Sequence, residues 1–128
     1  MNQPSKEITF LAKKPSTDRY IYTLKKIADF EEAWGLYDKG WALTGSECDD
    51  FFPIWPSKES ASICATDSWG EYSPNPIPVD QLLNNLLPML IEDNVKIAIF
   101  MVPGSSETAT KKAQEFKDDL ENELEKYE

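Results

Sequence analysis

The sequence contains no histidine. General acid–base chemistry near neutral pH falls most often to that side chain, so its commonest agent is missing. Ser-His-Asp and Cys-His nucleophile arrangements are excluded outright. Cysteine is scarce. Cys48 and Cys64 are the only two, far apart and without C-x-x-C spacing, and they cannot close a zinc site. Five glycines supply neither G-x-x-x-x-G-K nor G-x-G-x-x-G nor G-x-S-x-G, so phosphate cradles and a nucleophile elbow are absent. Long apolar runs are also missing. The longest uncharged one, Ile97–Val102, has a strand's length and falls far short of a membrane span. The opening residues Met1–Glu7 are polar and carry no apolar signal-peptide segment, which predicts a cytoplasmic protein with reduced thiols.

Basic residues are outnumbered. Thirteen Lys and Arg face 23 Asp and Glu, for a net charge of −10. Such a surface repels phosphate backbones and anionic lipid, which argues against nucleic-acid and membrane partners. The imbalance is uneven. Residues 1–28 carry six bases against Glu7 and Asp18, a net of +4, and residues 29–128 carry seven against 21 acids, a net of −14. Between Asp29 and Asp93 the only bases are Lys39 and Lys58. Surplus acid keeps small proteins soluble, and it also steers a basic partner.

What the chain has in abundance is tryptophan. Trp34, Trp41 and Trp55 fall within 22 residues. A ring that large builds a small core or anchors a contact. Trp34 and Trp41 are expected to pack across a hairpin that turns at Asp38-Lys39-Gly40, with Leu36 and Leu43 nearby. Trp55 lies between Pro53 and Pro56, on a strand that proline would confine to an edge. It is therefore the first candidate for a contact surface, with Trp69, Tyr72 and the carboxylates of Asp49 and Asp50 beside it. Carboxylate-only catalysis would have to use Glu31 with Glu32, or Asp49 with Asp50, all in short surface turns. The stretch Glu47–Asp50 lacks the calcium-loop pattern and reads as a solvated turn. No cofactor and no metal site is expected.

The 128 residues, 41% hydrophobic, suffice for one domain with a core. Residues 1–15 read as a loose lead-in, with a short extended piece at Ile8–Leu11. A helix over residues 17–28 follows, capped by Ser16, with Lys25 and Lys26 in its last turn. Strands follow at Trp34–Tyr37, Trp41–Thr44 and Phe51–Trp55, the last at an edge or bulged. Ser57 caps a second helix, to which Ser60 adds little. Glu71–Pro78, with three prolines in five residues, is predicted to be irregular. A leucine-rich helix from Val79 is broken or kinked at Pro88. The strand over residues 95–102 is apolar on both faces and belongs in the centre of the sheet. A last helix spans residues 107–127, with Ala113, Phe116, Leu120, Leu124 and Tyr127 docking on the same domain. The order α-β-β-β-α-α-β-α describes an α+β fold whose small, largely antiparallel sheet of about four strands is covered by helices.

The run Ala28–Leu43, with its W-G-L-Y and G-W-A-L, followed by Phe52-Pro-Ile-Trp-Pro-Ser, resembles a bacterial family of unknown function, DUF 2750. The likeness continues through Ile77-Pro-Val-Asp-Gln-Leu-Leu and Asp93–Phe100 and covers about residues 20–102. The resemblance implies no activity and no catalytic residues. The aromatic hairpin before P-x-W-P also resembles, in architecture alone, small immunity proteins of bacterial toxin systems. The functional expectation is a non-enzymatic protein-binding module, monomeric or weakly dimeric, for a basic partner such as a toxin. The alternative is a small-molecule or sensory module with a pocket walled by Trp34, Trp41 and Trp55.

Overall fold

The structure is a computed structural model and describes residues 10–45, 50–65, 69–102 and 108–126. In chain order the elements are α1 (Ser16–Phe30), β1 (Glu32–Tyr37), β2 (Thr44–Gly45), β3 (Asp50–Ile54), α2 (Lys58–Ser62), β4 (Ser73–Pro78), α3 (Val79–Gln81), a π-helical turn over Leu82–Leu86, α4 (Leu87–Glu92), β5 (Lys96–Ile99), β6 (Ala109–Lys112) and α5 (Ala113–Glu125). The fold is α+β, with two sheets among the described residues, ordered β1-β4 and β2-β3-β5-β6. Pairing is antiparallel except between β3 and β5.

Helix α1 buries Tyr20, Leu24, Ile27 and Ala28 at helical spacing. Its ends differ from the sequence reading. Pro15 is the N-cap, so Ser16 occupies the first helical position. Glu31, left-handed at φ 60°, closes the helix by donating its N–H to the Ile27 carbonyl. Lys25 and Lys26 therefore precede a last turn that holds no cation. Lys26 Nζ lies over the rings of Tyr22 and Phe30 instead, at 5.4 and 5.2 Å. Arg19 is buried, and its Nη1 donates to the Ala12 carbonyl at 3.3 Å. The extended piece expected at Ile8–Leu11 lies partly outside the described residues. Phe10–Ala12 are helical and Leu11 joins the core.

The proline-rich segment is a strand. β4 runs antiparallel to β1, with Pro78, Pro76 and Pro74 opposite Glu32, Trp34 and Leu36. Strand parity explains the tolerance. Trp34 exchanges both main-chain bonds with Trp55, at 2.9 and 2.8 Å, and the Leu36 carbonyl accepts from Ala42 N–H at 2.8 Å. Those groups point away from β4. The rungs shared with β4 therefore fall on Ala33, Gly35 and Tyr37, opposite Ile77, Asn75 and Ser73. All three prolines turn their nitrogens to the outer edge, where a missing donor costs nothing and blocks further pairing.

Pro53 follows the same logic inside the larger sheet. The Ile54 carbonyl accepts from Phe100 on the β5 side, whereas Phe51 pairs with β2 and Trp55 with β1 on the other. Pro53 shares the parity of Phe51 and Trp55 and sits between them, where no rung needs its N–H. β3 is thus internal in sheet order, not at the edge that its proline suggested.

The turn at Asp38–Gly40 forms, with Asp38 N–H donating to the Gly40 carbonyl at 2.9 Å and Lys39 at φ 62°. The hairpin beyond it does not. Tyr37 and Trp41 share one isolated bridge, and the returning chain becomes a strand only at Thr44–Gly45, paired with β3. β1 already gives one edge to β4 and the other to Trp55.

Helix α2 carries a reciprocal cap. The Ser60 amide donates to Ser57 Oγ at 3.2 Å, and the Ser57 amide donates to Ser60 Oγ at 3.1 Å. Ser60 is fully buried, so it contributes half of the cap. Pro88 lies in the first turn of α4, directly after the π-helical turn. A proline cannot supply its i→i−4 bond, and the wider turn before it, with Leu87 N–H donating to the Leu82 carbonyl, absorbs the mismatch without a break. β5 is central as expected, flanked along all four residues by β3 and β6, and Ile97, Ala98 and Ile99 are buried. It ends at Ile99, because Phe100 takes φ 55°. Before the last helix, Ala109–Lys112 form β6, so α5 starts at Ala113. Ala113, Phe116 and Leu120 dock inward, and Tyr127 lies outside the described residues. The Tyr20 hydroxyl donates to Asp119 and ties α1 to α5. Burial, and then the Asp119 carboxylate, raise the Tyr20 pKa.

Candidate functional site

The tryptophans are placed differently from the sequence reading. Trp55 is 0% exposed. Its backbone bridges β1, its Nε1–H donates to the Met101 carbonyl at 3.0 Å, and its ring meets Trp69 edge-on at 6.3 Å. It is core and cannot anchor a partner. Trp69 and Tyr72 are half-buried and packed against that core, and the Tyr72 amide donates to the Trp69 carbonyl at 3.0 Å. The three rings belong to one interior wall. Asp50 is exposed at the start of β3, and Asp49 and Cys48 lie outside the described residues. Trp34 and Trp41, expected in the core, are likewise half-buried and packed against it.

The Met101 carbonyl also accepts from Cys64 Sγ at 3.2 Å. Phe100 turns the chain out of the sheet there, and two side-chain donors take the place of ladder partners. Burial pushes the Cys64 thiol from 9.0 up to about 11. Its stabilising contribution is therefore complete below about pH 9 and is lost as pH rises through 11. At pH 8, Cys64 in the folded chain is expected to resist iodoacetamide, by site-resolved mass spectrometry, while reacting readily in urea. Equal rates in both states would show that the thiol is accessible.

Trp41 is half-buried, whereas Trp55 is fully enclosed. A β-carbon built at Gly35 would lie 3.0 Å from Cε3 and Cζ3 of Trp41, so glycine lets the indole settle closer to β1 than a side chain would, by a few tenths of an ångström. Tyr37 meets the indole edge-on at 5.1 Å, and Phe52 tilts against it at 5.9 Å. The ring is clamped on three sides. Beyond it opens a shallow groove of about 240 Å³, lined by Trp41, Ile77, Gln81, Asn85, Leu86 and Met89. The π-helical turn supplies Asn85 and Leu86, and such turns recur at functional sites. Two large side chains of this site stay in water: Tyr37, against Trp41, is 41% exposed, and Met89, in the lining, 50%.

Sequence reasoning missed Gln81, Asn85 and Met89, because a leucine run reads as a buried helix. Asn84-Asn85 ahead of Pro88 was the available signal that this helix has a polar, irregular turn. Among the described residues no helix is long and apolar enough to cross a membrane. A family model described as "Protein of unknown function (DUF2750)" matches residues 20–120, and the chain belongs to that family. No curated protein matches the chain.

Proposed function

We propose that this DUF2750 member is a non-enzymatic protein-binding module that receives a basic protein on the Trp41 groove. The observation that carries the reading is the Tyr37–Trp41 pair, its tyrosine exposed and its indole half-buried, on a groove that exposed Met89 also lines. Trp, Tyr and Met are enriched at the centres of protein contacts. Charge selects the partner. The segments that build the groove, residues 32–41 and 73–93, hold five acids against Lys39 alone. A basic surface would be steered toward them and a phosphate backbone repelled. Neutralisation of a basic toxin in the bacterial cytoplasm is the most concrete form of this reading.

The test compares capture from host lysate by the native chain and by a Leu43→Asp/Met89→Asp variant with unchanged circular dichroism. The reading expects a basic protein that the native chain holds and the variant releases, with association slowing as salt rises. An acidic partner, a partner held equally by both chains, or no retained protein would overturn it. Gln81 and Asn85 in an apolar cleft also suit a small ligand. The groove is smaller than the roughly 300–1,000 Å³ of typical small-molecule pockets, which favours the protein partner. A metabolite that raises the melting temperature of the native chain and not of the variant would reverse that preference.

A further inference from the structure

Resting on the protein-binding reading, we infer that the Trp41 groove accepts an arginine side chain of the basic partner. Three features of the groove match the three parts of that side chain. Its methylene stem needs apolar contact, and Ile77, Leu86 and Met89 supply it. Its planar guanidinium stacks on aromatic faces, and Trp41 is an indole held in place by Gly35, Tyr37 and Phe52. Its fork of N–H donors needs acceptors, and Gln81 and Asn85 each bring a side-chain carbonyl. Charge agrees. Asp38 lies in the turn that presents Trp41, Asp80 adjoins Gln81, and both are exposed. A lysine would leave the planar stack unused, and an apolar side chain would leave both amides unanswered.

No carboxylate lines the groove itself, so the cation is met by a ring and by neutral oxygens inside a surrounding negative field. The expected complex is accordingly weak for a single residue and specific for the guanidinium. The probes are N-acetyl-arginine amide, its neutral near-isostere N-acetyl-citrulline amide, and N-acetyl-norleucine amide, each titrated into the full chain. The readout is the indole N–H signal of Trp41 together with the side-chain amide signals of Gln81 and Asn85. Arginine is expected to move all three, and citrulline and norleucine to leave them in place at equal concentration. Trp41→Ala should weaken the arginine affinity about tenfold, the size of one cation–π contact. Gln81→Leu with Asn85→Leu, at two exposed positions that the core does not need, should do the same without disturbing the fold.

Equal shifts with norleucine or citrulline would overturn the inference, because the groove would then select apolar bulk or amides. The absence of any shift with arginine would overturn it too. If the Leu43→Asp/Met89→Asp variant still releases a basic partner while arginine leaves Trp41 unmoved, the docking reading stands and only the arginine anchor falls.

Discussion

Trp55→Ala is expected to destabilise the fold by about 3–5 kcal/mol, enough to leave a domain of this size partly unfolded at room temperature. Among the described residues Trp55 is the largest fully buried side chain, and it closes the junction between the two sheets. Removing it opens a cavity against Trp69 and takes one of two donors from the Met101 carbonyl. Trp34→Ala is the paired control. Trp34 makes the opposite half of the same bridge through its backbone, which alanine keeps, and its ring is only half-buried. Its loss should cost about 1–2 kcal/mol. Urea melts of both variants decide the matter. Equal midpoints, or a lower one for Trp34→Ala, would show that the core is centred elsewhere.

A larger effect is expected at Ala98. This residue sits mid-strand in β5 with Pro53 on one side and Thr110 on the other, and it is 3% exposed. Ala98→Asp buries a carboxylate at a position packed for a methyl group. The cost is about 4 kcal/mol or more, and the variant should not accumulate as folded protein. Thr110→Asp puts the same group on the same rung at an exposed position of β6, and should change stability by less than about 1 kcal/mol. Soluble Ala98→Asp with a native near-ultraviolet spectrum would mean that β5 is not central.

The functional reading moved with the tryptophans. Sequence logic placed a contact at Trp55, Trp69, Tyr72, Asp49 and Asp50, because prolines flank Trp55 and carboxylates precede it. Trp55 proved to be core, and Trp69 and Tyr72 pack against it. The acidic field survives that relocation, since it belongs to the composition of residues 29–93 and not to one loop. What changed is the proposed anchor, now Trp41 with Tyr37 and Met89.

Several features were legible without coordinates because they are local or compositional. The 3–4 spacing of Tyr20, Leu24 and Ile27 specifies α1, Asp38-Lys39-Gly40 specifies a turn, and the apolar run Ile97–Val102 specifies a central strand, which the structure ends at Ile99. Mixed helices and short strands specified the α+β class, and the family read from the sequence is the one whose model matches residues 20–120. Pairing was another matter. Whether Glu71–Pro78 could be a strand depended on which edge its nitrogens face, and that is set by β1, some forty residues earlier. β6 was lost inside an apparent helix because Ala109–Lys112 show no strand alternation and are held by β5 alone. The exchange of roles between Trp55 and Trp41 has the same origin. Hydrophobicity alone cannot rank two indoles for burial. Trp55 is enclosed because β1, Trp69 and the Met101 carbonyl converge on it, and Trp41 is half-buried because it seats on Gly35 and Phe52 while lining an open groove. Local spacing determined the elements, and long-range hydrogen-bond parity decided which faces they turn to water.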